Sequence, residues 1–281
     1  MLPVTTSHRI YLAAVAILGL WVGVFCYFDP ARADWGIPWL LPPLCATFLG
    51  SMYLSGAAGL AVCILSRRWA EIRSVIPMIA IWTGGLTVVS LFYLSAFDFH
   101  KTQVWVWFGA YIAYPLIGVG FLWRHRAQAN IHPRDEPALP QWVKIYLSAQ
   151  GVAMIALSLA LLFATPLMQS LWPWQAGEMM LQLYSQPFLA YGVGSLILSR
   201  QAVWSEVRAG VIGMSVFTGA EALASLRFIA LFDGAPLSVA LWLGSFGAAT
   251  AGLLILSMRA VRTARPAQPS IPRHHMQSVA D

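Results

Sequence analysis

Long apolar runs separated by short polar ones set the reading of this chain. Eight runs approach or exceed the roughly 20 mostly apolar residues that cross a bilayer as a helix: residues 10–28, 40–65, 72–96, 104–123, 143–163, 179–198, 207–231 and 237–258. Prolines punctuate them. Pro42-Pro43 open the second run, where a missing N–H costs little. Pro77 is expected to kink or unwind the first turns of the third, and Pro187 to interrupt the sixth. Pro115 lies inside the fourth. Gly50, Gly56 and Gly59 leave part of the second run without side chains, so a neighbouring helix can approach closely there.

The apolar pattern occurs twice. Residues 69–98 read WAEIRSVIPMIAIWTGGLTVVSLFYLSAFD, and residues 204–233 read WSEVRAGVIGMSVFTGAEALASLRFIALFD. Adding 135 maps Trp69, Glu71 and Arg73 onto Trp204, Glu206 and Arg208 without a gap. The same shift carries Thr83-Gly84, Ser90-Leu91 and Phe97-Asp98 onto Thr218-Gly219, Ser225-Leu226 and Phe232-Asp233. It also carries Arg9-Ile10-Tyr11-Leu12 onto Lys144-Ile145-Tyr146-Leu147. The expected fold is therefore all-α: a polytopic integral membrane protein with eight transmembrane helices, arranged as two tandem four-helix parallel repeats. Residues 1–126 form the first repeat, 127–141 a proline-bearing cytoplasmic linker, 142–261 the second repeat, and 262–281 a disordered cytoplasmic tail.

Composition supports the bilayer as solvent. The chain is 59% hydrophobic and 10% charged, against roughly 25% charged residues in soluble domains. The net charge of +6 does not point to nucleic acid, because the basic residues end apolar segments. Arg32 and Lys101 fall on one side. Arg9, Arg67, Arg68, Arg73, Arg124, Arg126, Arg134, Lys144, Arg200, Arg208, Arg259, Arg262, Arg265 and Arg273 fall on the other. That asymmetry places both termini in the cytoplasm, in what reads as a bacterial inner membrane. The loops with Pro38-Trp39 and Trp172-Pro173-Trp174 then face outward and are expected to lie flat at the interface. Arg9, the apolar run and Ala31-Arg32-Ala33 resemble a cleavable signal peptide. The run exceeds the usual 7–15 residues, and its counterpart lies deep inside the chain, so it is read as retained. Cys26, Cys45 and Cys63 lie in apolar runs without metal-ligand spacing and are read as inert thiols.

Comparing the two copies marks the candidate chemistry. Glu221 stands where the first copy has Leu86, and Arg227 where it has Phe92. A charged side chain at mid-bilayer costs roughly 2.5–3.5 kcal/mol on insertion scales. Thr218 and Ser225 share the helix face of Glu221. Gln182, Ser185 and Gln186 share a face of the sixth run, beside Pro187. Gln186 is expected level with Glu221, roughly 12–15 Å below the outer surface, and Gln182 level with Arg227. A broken helix beside buried polar groups is how many transporters frame a site. Glu221, Arg227, Gln182, Gln186, Ser225 and Thr218 are thus the candidate substrate-binding residues. The plainer alternative is interhelical hydrogen bonding with a neutral Glu221. Thr83, Thr87 and Ser90 form a hydroxyl stripe suited to backbone bonding. Under pseudo-symmetry Glu71 is expected to meet Arg208, and Glu206 to meet Arg73. Trp105, Trp107, Tyr111 and Tyr114 crowd the fourth run and read as belt and packing residues.

No catalytic or metal-binding set is read, and no cofactor is expected. The histidines lie in loops or tails, so no bis-histidine haem site spans two helices. No phosphate-binding loop, nucleotide-binding glycine motif, zincin helix or nucleophile elbow occurs. The leading expectation is a small-solute or ion-coupled carrier with its polar site in the second repeat. The alternative is a non-enzymatic accessory or scaffold subunit of a membrane complex, or a lipid-binding protein. A lipid-modifying enzyme ranks below both, for want of two catalytic residues at one depth. Expected partners are the lipid bilayer, a small-molecule or ion ligand, and a membrane protein or second copy of the chain; nucleic acid is not among them. A carrier calls for a water-reachable cavity at Glu221, whereas a scaffold calls for a sealed Glu221 bonded to Gln or Ser.

Overall fold

The computed structural model describes residues 2–39, 41–128, 131–133 and 136–263, the last five as backbone only. Ten α-helices account for most of them: α1 (Thr6–Phe28), α2 (Pro43–Leu65), α3 (Trp69–Ile72), α4 (Val75–Phe92), α5 (Thr102–Arg124), α6 (Gln141–Phe163), α7 (Thr165–Leu171), α8 (Glu178–Ser199), α9 (Trp204–Arg227) and α10 (Pro236–Thr263). Counting α3 and α4 as one, seven helices have the length and hydropathy to cross a membrane. They suggest an integral membrane protein, with apolar side chains such as Leu65, Phe92 and Phe163 turned outward. The helix α8 has 22 residues and is buried along most of its length. Gln182, Ser185 and Gln186 place polar side chains along it. The expected tail beyond residue 263, with Arg265, Arg273, His274 and His275, lies outside the described residues, as do Arg134 and Asp135 of the linker.

Local sequence accounts for the breaks. The third apolar run divides at Arg73-Ser74, between α3 and α4. Pro77 has no N–H, and its ring crowds the carbonyl four residues back, which is that of Arg73. At the position 135 residues on stands Ile212, and α9 runs unbroken there. Pro187 does not interrupt its helix as expected: α8 is continuous from Glu178 to Ser199. The α5 helix likewise passes through Pro115. The third and seventh apolar runs end as helices at Phe92 and Arg227, followed by 3-10 turns at Leu94–Ala96 and Ile229–Leu231.

The packing crosses the chain. The helix α1 lies on α2, α2 on α9, and α9 on α10; α6 lies on α8, α8 on α4, and α4 on α5. The first two helices of each half thus dock against the last two of the other half. Small residues permit this. A Cβ on Gly59 would lie 3.0 Å from the Ala209 carbonyl, and one on Gly213 would lie 3.1 Å from the Ser55 carbonyl, so α2 and α9 touch backbone to backbone. Gly50 meets the backbone of Tyr27 and Cys26 in the same way, and Gly56 faces the Trp82 ring.

Residues 135 apart make matching contacts. Val4 N–H donates to Arg67 O and Leu139 N–H to Ala202 O, forming isolated bridges Pro3–Arg68 and Ala138–Val203. Trp107 Nε1 donates to Ser90 Oγ at 3.0 Å, and Trp242 Nε1 to Ser225 Oγ at 3.1 Å. Trp39 meets Trp107 edge-on at 5.0 Å, and Trp174 meets Trp242 at 4.9 Å. The tryptophan-proline loops therefore do not lie flat at an interface. Trp39, Trp172 and Trp174 turn inward and are buried, joining a core centred on Phe48, Tyr184 and Trp242. Trp35 stays exposed.

The charged contacts match too. Arg73 Nη2 lies 2.7 Å from Glu206 Oε1, and Arg208 Nη2 lies 2.7 Å from Glu71 Oε2. These are the two cross-pairs expected under pseudo-symmetry. Glu206 also accepts from the N–H groups of Ala202 and Val203, capping the start of α9. Arg73 donates to the carbonyls of Gln128 and Ile131 and to Gln201 Oε1. His132 Nδ1 lies 2.9 Å from each Glu206 oxygen, fastening the linker. Both side chains of the Arg73–Glu206 pair are at most 6% exposed, while Arg208 is 36% exposed. Breaking a buried pair by removing one partner costs about 3–5 kcal/mol, whereas exposed pairs contribute about 0–1 kcal/mol. Arg73→Ala should therefore destabilise the purified protein far more than Arg208→Ala in thermal or denaturant unfolding. Equal losses would contradict the ranking.

Candidate functional site

Glu221 projects from the last two turns of α9, six residues before its end at Arg227. That is roughly 9 Å from the helix terminus, shallower than the apolar run implies. Its side chain is completely buried. Ser225 Oγ, one turn on, donates to Oε1 at 3.2 Å, and Ser51 Oγ of α2 lies 3.3 Å from Oε2. Ser225 Oγ in turn accepts from Trp242 Nε1 of α10. The carboxyl thus bridges α2, α9 and α10. The position 135 residues back holds Leu86, beside the matching Trp107–Ser90 bond. That tryptophan–serine contact forms there without an acid.

The remaining candidate residues have other neighbours. Thr218 is buried and donates to the Ser215 carbonyl at 3.3 Å, within its own helix. Gln186 donates to Ser185 Oγ at 2.7 Å. It fills the space left by Gly85 of α4, where a Cβ would overlap its amide. Gln182 accepts from Tyr93 Oη at 3.0 Å and donates to Thr165 Oγ at 3.4 Å. Arg227 ends α9, is exposed, and lies over the Phe228 ring at 4.9 Å while donating to the Tyr27 carbonyl. A cation at a helix C-terminus is favoured by the helix dipole. Gln186 and Glu221 lie on helices with different main partners, α8 against α4 and α6, α9 against α2 and α10. Among the described residues no hydrogen bond joins the two glutamines to Glu221, and the expected facing rungs are separate contacts.

Two cavities flank α1, and Glu221 lines neither. One, of about 80 Å³, lies between α1, α2, α4, α5, α8 and the first turns of α9. Its wall holds Tyr53 and Tyr111, whose hydroxyls bond each other, and Tyr191, whose hydroxyl bonds Ser55. The second, of about 260 Å³, runs between Trp21, Trp35 and Trp107. The sequence pattern did not single out Tyr53 or Tyr191. Their counterparts, Phe188 and Gly56, lack the hydroxyl, and this difference between the copies was the available signal. Among the described residues no group of three or more His, Cys, Asp or Glu is placed to hold a metal. The three cysteines are free and buried.

Interhelical hydrogen bonds in membranes return about 0.6 kcal/mol on average and at most about 1.7 kcal/mol. Of the two bonds to the carboxyl only the one from Ser51 is interhelical, and it does not outweigh the cost of burying an acid. Glu221→Leu, which places there the residue found 135 positions earlier, should leave the unfolding temperature unchanged or raise it. A loss of about 3 kcal/mol or more would show that the bridge holds the fold. No family model, curated protein or solved structure matches this chain.

Proposed function

We propose that this chain is a non-enzymatic accessory or scaffold protein of a membrane, built as eight spans in two tandem four-helix repeats. The observation that carries the functional reading is the state of Glu221: sealed from water and met at both oxygens by serine hydroxyls. A coupling acid needs a path for its ion, and the cavities along α1 do not reach it. The continuity of α8 through Pro187 removes the broken helix that favoured a transport site.

The matching contacts at a shift of 135 support the doubling, and α8 supplies the eighth span. An even number of spans puts both termini on one side, and the basic residues assign that side to the cytoplasm of a bacterial inner membrane. The exposed aromatic and aliphatic flanks of α1, α5, α6 and α10 offer surfaces for lipid, a membrane protein partner or a second copy.

One observation favours the carrier reading as the second. Glu221 bridges helices from opposite halves, the boundary that rocks in alternating-access carriers. In that reading Glu221 is the coupling group, with Ser225 and Thr218 on its own helix and Gln182, Gln186 and Arg227 lining the outer half. Proteoliposomes loaded with a pH-sensitive dye separate the two. The scaffold reading predicts no proton flux and no sodium-driven flux above empty vesicles. Flux that Glu221→Gln abolishes, in a protein of unchanged stability, would overturn it.

A further inference from the structure

The helices α1 and α5 are tied together at one level. Tyr11 Oη donates to the Tyr114 carbonyl at 3.0 Å, and Tyr114 Oη to the Ala14 carbonyl at 3.2 Å. One turn on, Gly118 leaves room for the Tyr11 hydroxyl, which a Cβ there would meet at 2.9 Å. Beyond this knot the two helices have little contact with each other. The cavities of about 80 Å³ and about 260 Å³ lie along the gap, and Leu18 and Tyr111 form a wall of both. The larger reaches the less basic end of the bundle, beside Trp21, Trp35 and Thr102. Together they follow α5 from Thr102 to Tyr114, roughly 18 Å at about 1.5 Å per residue.

The walls decide what fills this crevice. The Tyr53 and Tyr111 hydroxyls bond each other, the Tyr191 hydroxyl bonds Ser55, and Thr83 Oγ1 donates to the Ile79 carbonyl. Trp82 Nε1 has no partner among the described residues, but it is itself covered. With its hydroxyls paired inside the protein, the inner cavity presents apolar surface, including Val15, Leu18 and Met78. A buried water needs about two to four polar partners, so water is a poor occupant. An empty crevice leaves its lining atoms without dispersion partners. Around helices of membrane-spanning length and hydropathy, the medium at hand is hydrocarbon.

The other half has filled the matching space. At a shift of 135, Gly19 and Gly56 correspond to Met154 and Tyr191, and Trp82 and Tyr111 to Phe217 and Phe246. There the Tyr191 ring stacks on Phe217 at 5.7 Å, and Phe217 meets Phe246 at 5.4 Å. The crevice therefore does not follow from the shared architecture; it lies where two glycines stand in place of a methionine and a tyrosine. Neither glycine is required by a close approach. A Cβ on Gly19 would lie 3.7 Å from the Tyr53 carbonyl, and one on Gly56 would lie 3.7 Å from the Trp82 ring, both ordinary contact distances.

We propose that this crevice is a site for one acyl chain of a membrane phospholipid, with the headgroup at the Trp21–Trp35 end and the chain running inward past Leu18 and Tyr111 to the space beside Gly56. Position selects the phospholipid. The wide end lies among tryptophans of the kind that sit at headgroup level, and the narrow end lies beside the middle of α2 and α4. The proposal rests on the membrane-spanning reading of the chain and is independent of the choice between scaffold and carrier.

Photolabelling tests it. The full chain is reconstituted in vesicles of phosphatidylethanolamine and phosphatidylglycerol, part of the latter carrying a diazirine partway along one acyl chain. After irradiation the cross-links are mapped by peptide mass spectrometry. The proposal predicts cross-links on the crevice walls at Gly56, Trp82 and Tyr111, besides those on outward-facing Phe92 and Phe163 that bulk lipid reaches. Gly19→Leu and Gly56→Leu each fill the crevice, so each should abolish the wall cross-links, keep those on Phe92 and Phe163, and leave or raise the unfolding temperature in detergent. Gly109→Leu, at a position on α5 where a side chain meets open surroundings, should change none of these. Wall cross-links undiminished in both filled variants would overturn the proposal, as would walls that stay unlabelled while Phe92 and Phe163 label. Oxidation of Trp82 by hydroxyl radicals made in the water, as fast as that of the exposed Trp35, would mark a wet crevice and overturn it too. Labelling absent everywhere would remove the membrane-spanning reading and the proposal with it. If one filled variant fails to fold, the other carries the test.

Discussion

Two ion pairs, the buried Arg73–Glu206 and the half-exposed Arg208–Glu71, hold this structure in one arrangement. Each joins the start of one half's third helical segment to that of the other half. A charge is costly to bury alone, so each carboxylate fixes where the opposing arginine must sit. Glu206 adds a second constraint by capping α9, and His132 draws the linker onto the same carboxylate. Around this centre the helices exchange partners, α2 lying on α9 and α4 on α8. Glycine contacts bring α2 and α9 to backbone distance, where dispersion and close packing, rather than the hydrophobic effect, reward association in lipid.

Much of this was legible in the residues. The apolar runs located the long helices because hydropathy alone selects bilayer-length segments. The fixed shift of 135 paired Glu71 with Arg208 and Glu206 with Arg73 before any contact was known. Glycines at 50, 56 and 59 announced close approach, which two of them make to backbone and one to an indole ring. What failed to read were properties of assembly. Pro77 acted at the carbonyl behind it, so its break fell at residues 73–74. Pro187 left α8 intact, because neighbouring helices stabilise a proline-containing helix within a packed bundle. The tryptophan-proline loops turned inward because aromatic partners awaited them, and interfacial preference is weaker than a filled core.

The candidate site illustrates the same division. Glu221 stood out in sequence because its counterpart is Leu86, and its bond to Ser225 follows from helical spacing. Ser51 was not visible as a partner, since contact between α2 and α9 depends on which helix packs on which. Gln186 differs from expectation for the same reason: it fills a gap at Gly85, on another interface. Differences between the two copies carried the signal in each case, but only packing showed which differences meet.

Crossed packing of the halves is the claim on which the rest stands, and splitting the chain in the linker tests it most directly. Residues 1–137 and 138–281 would be produced as separate chains, alone and together, in one membrane. Each fragment alone would lack the helices its own segments lie against. The account predicts that each alone is degraded or aggregates, and that the two together purify as a stable one-to-one complex. Two fragments that each fold and survive alone, with no association, would contradict it.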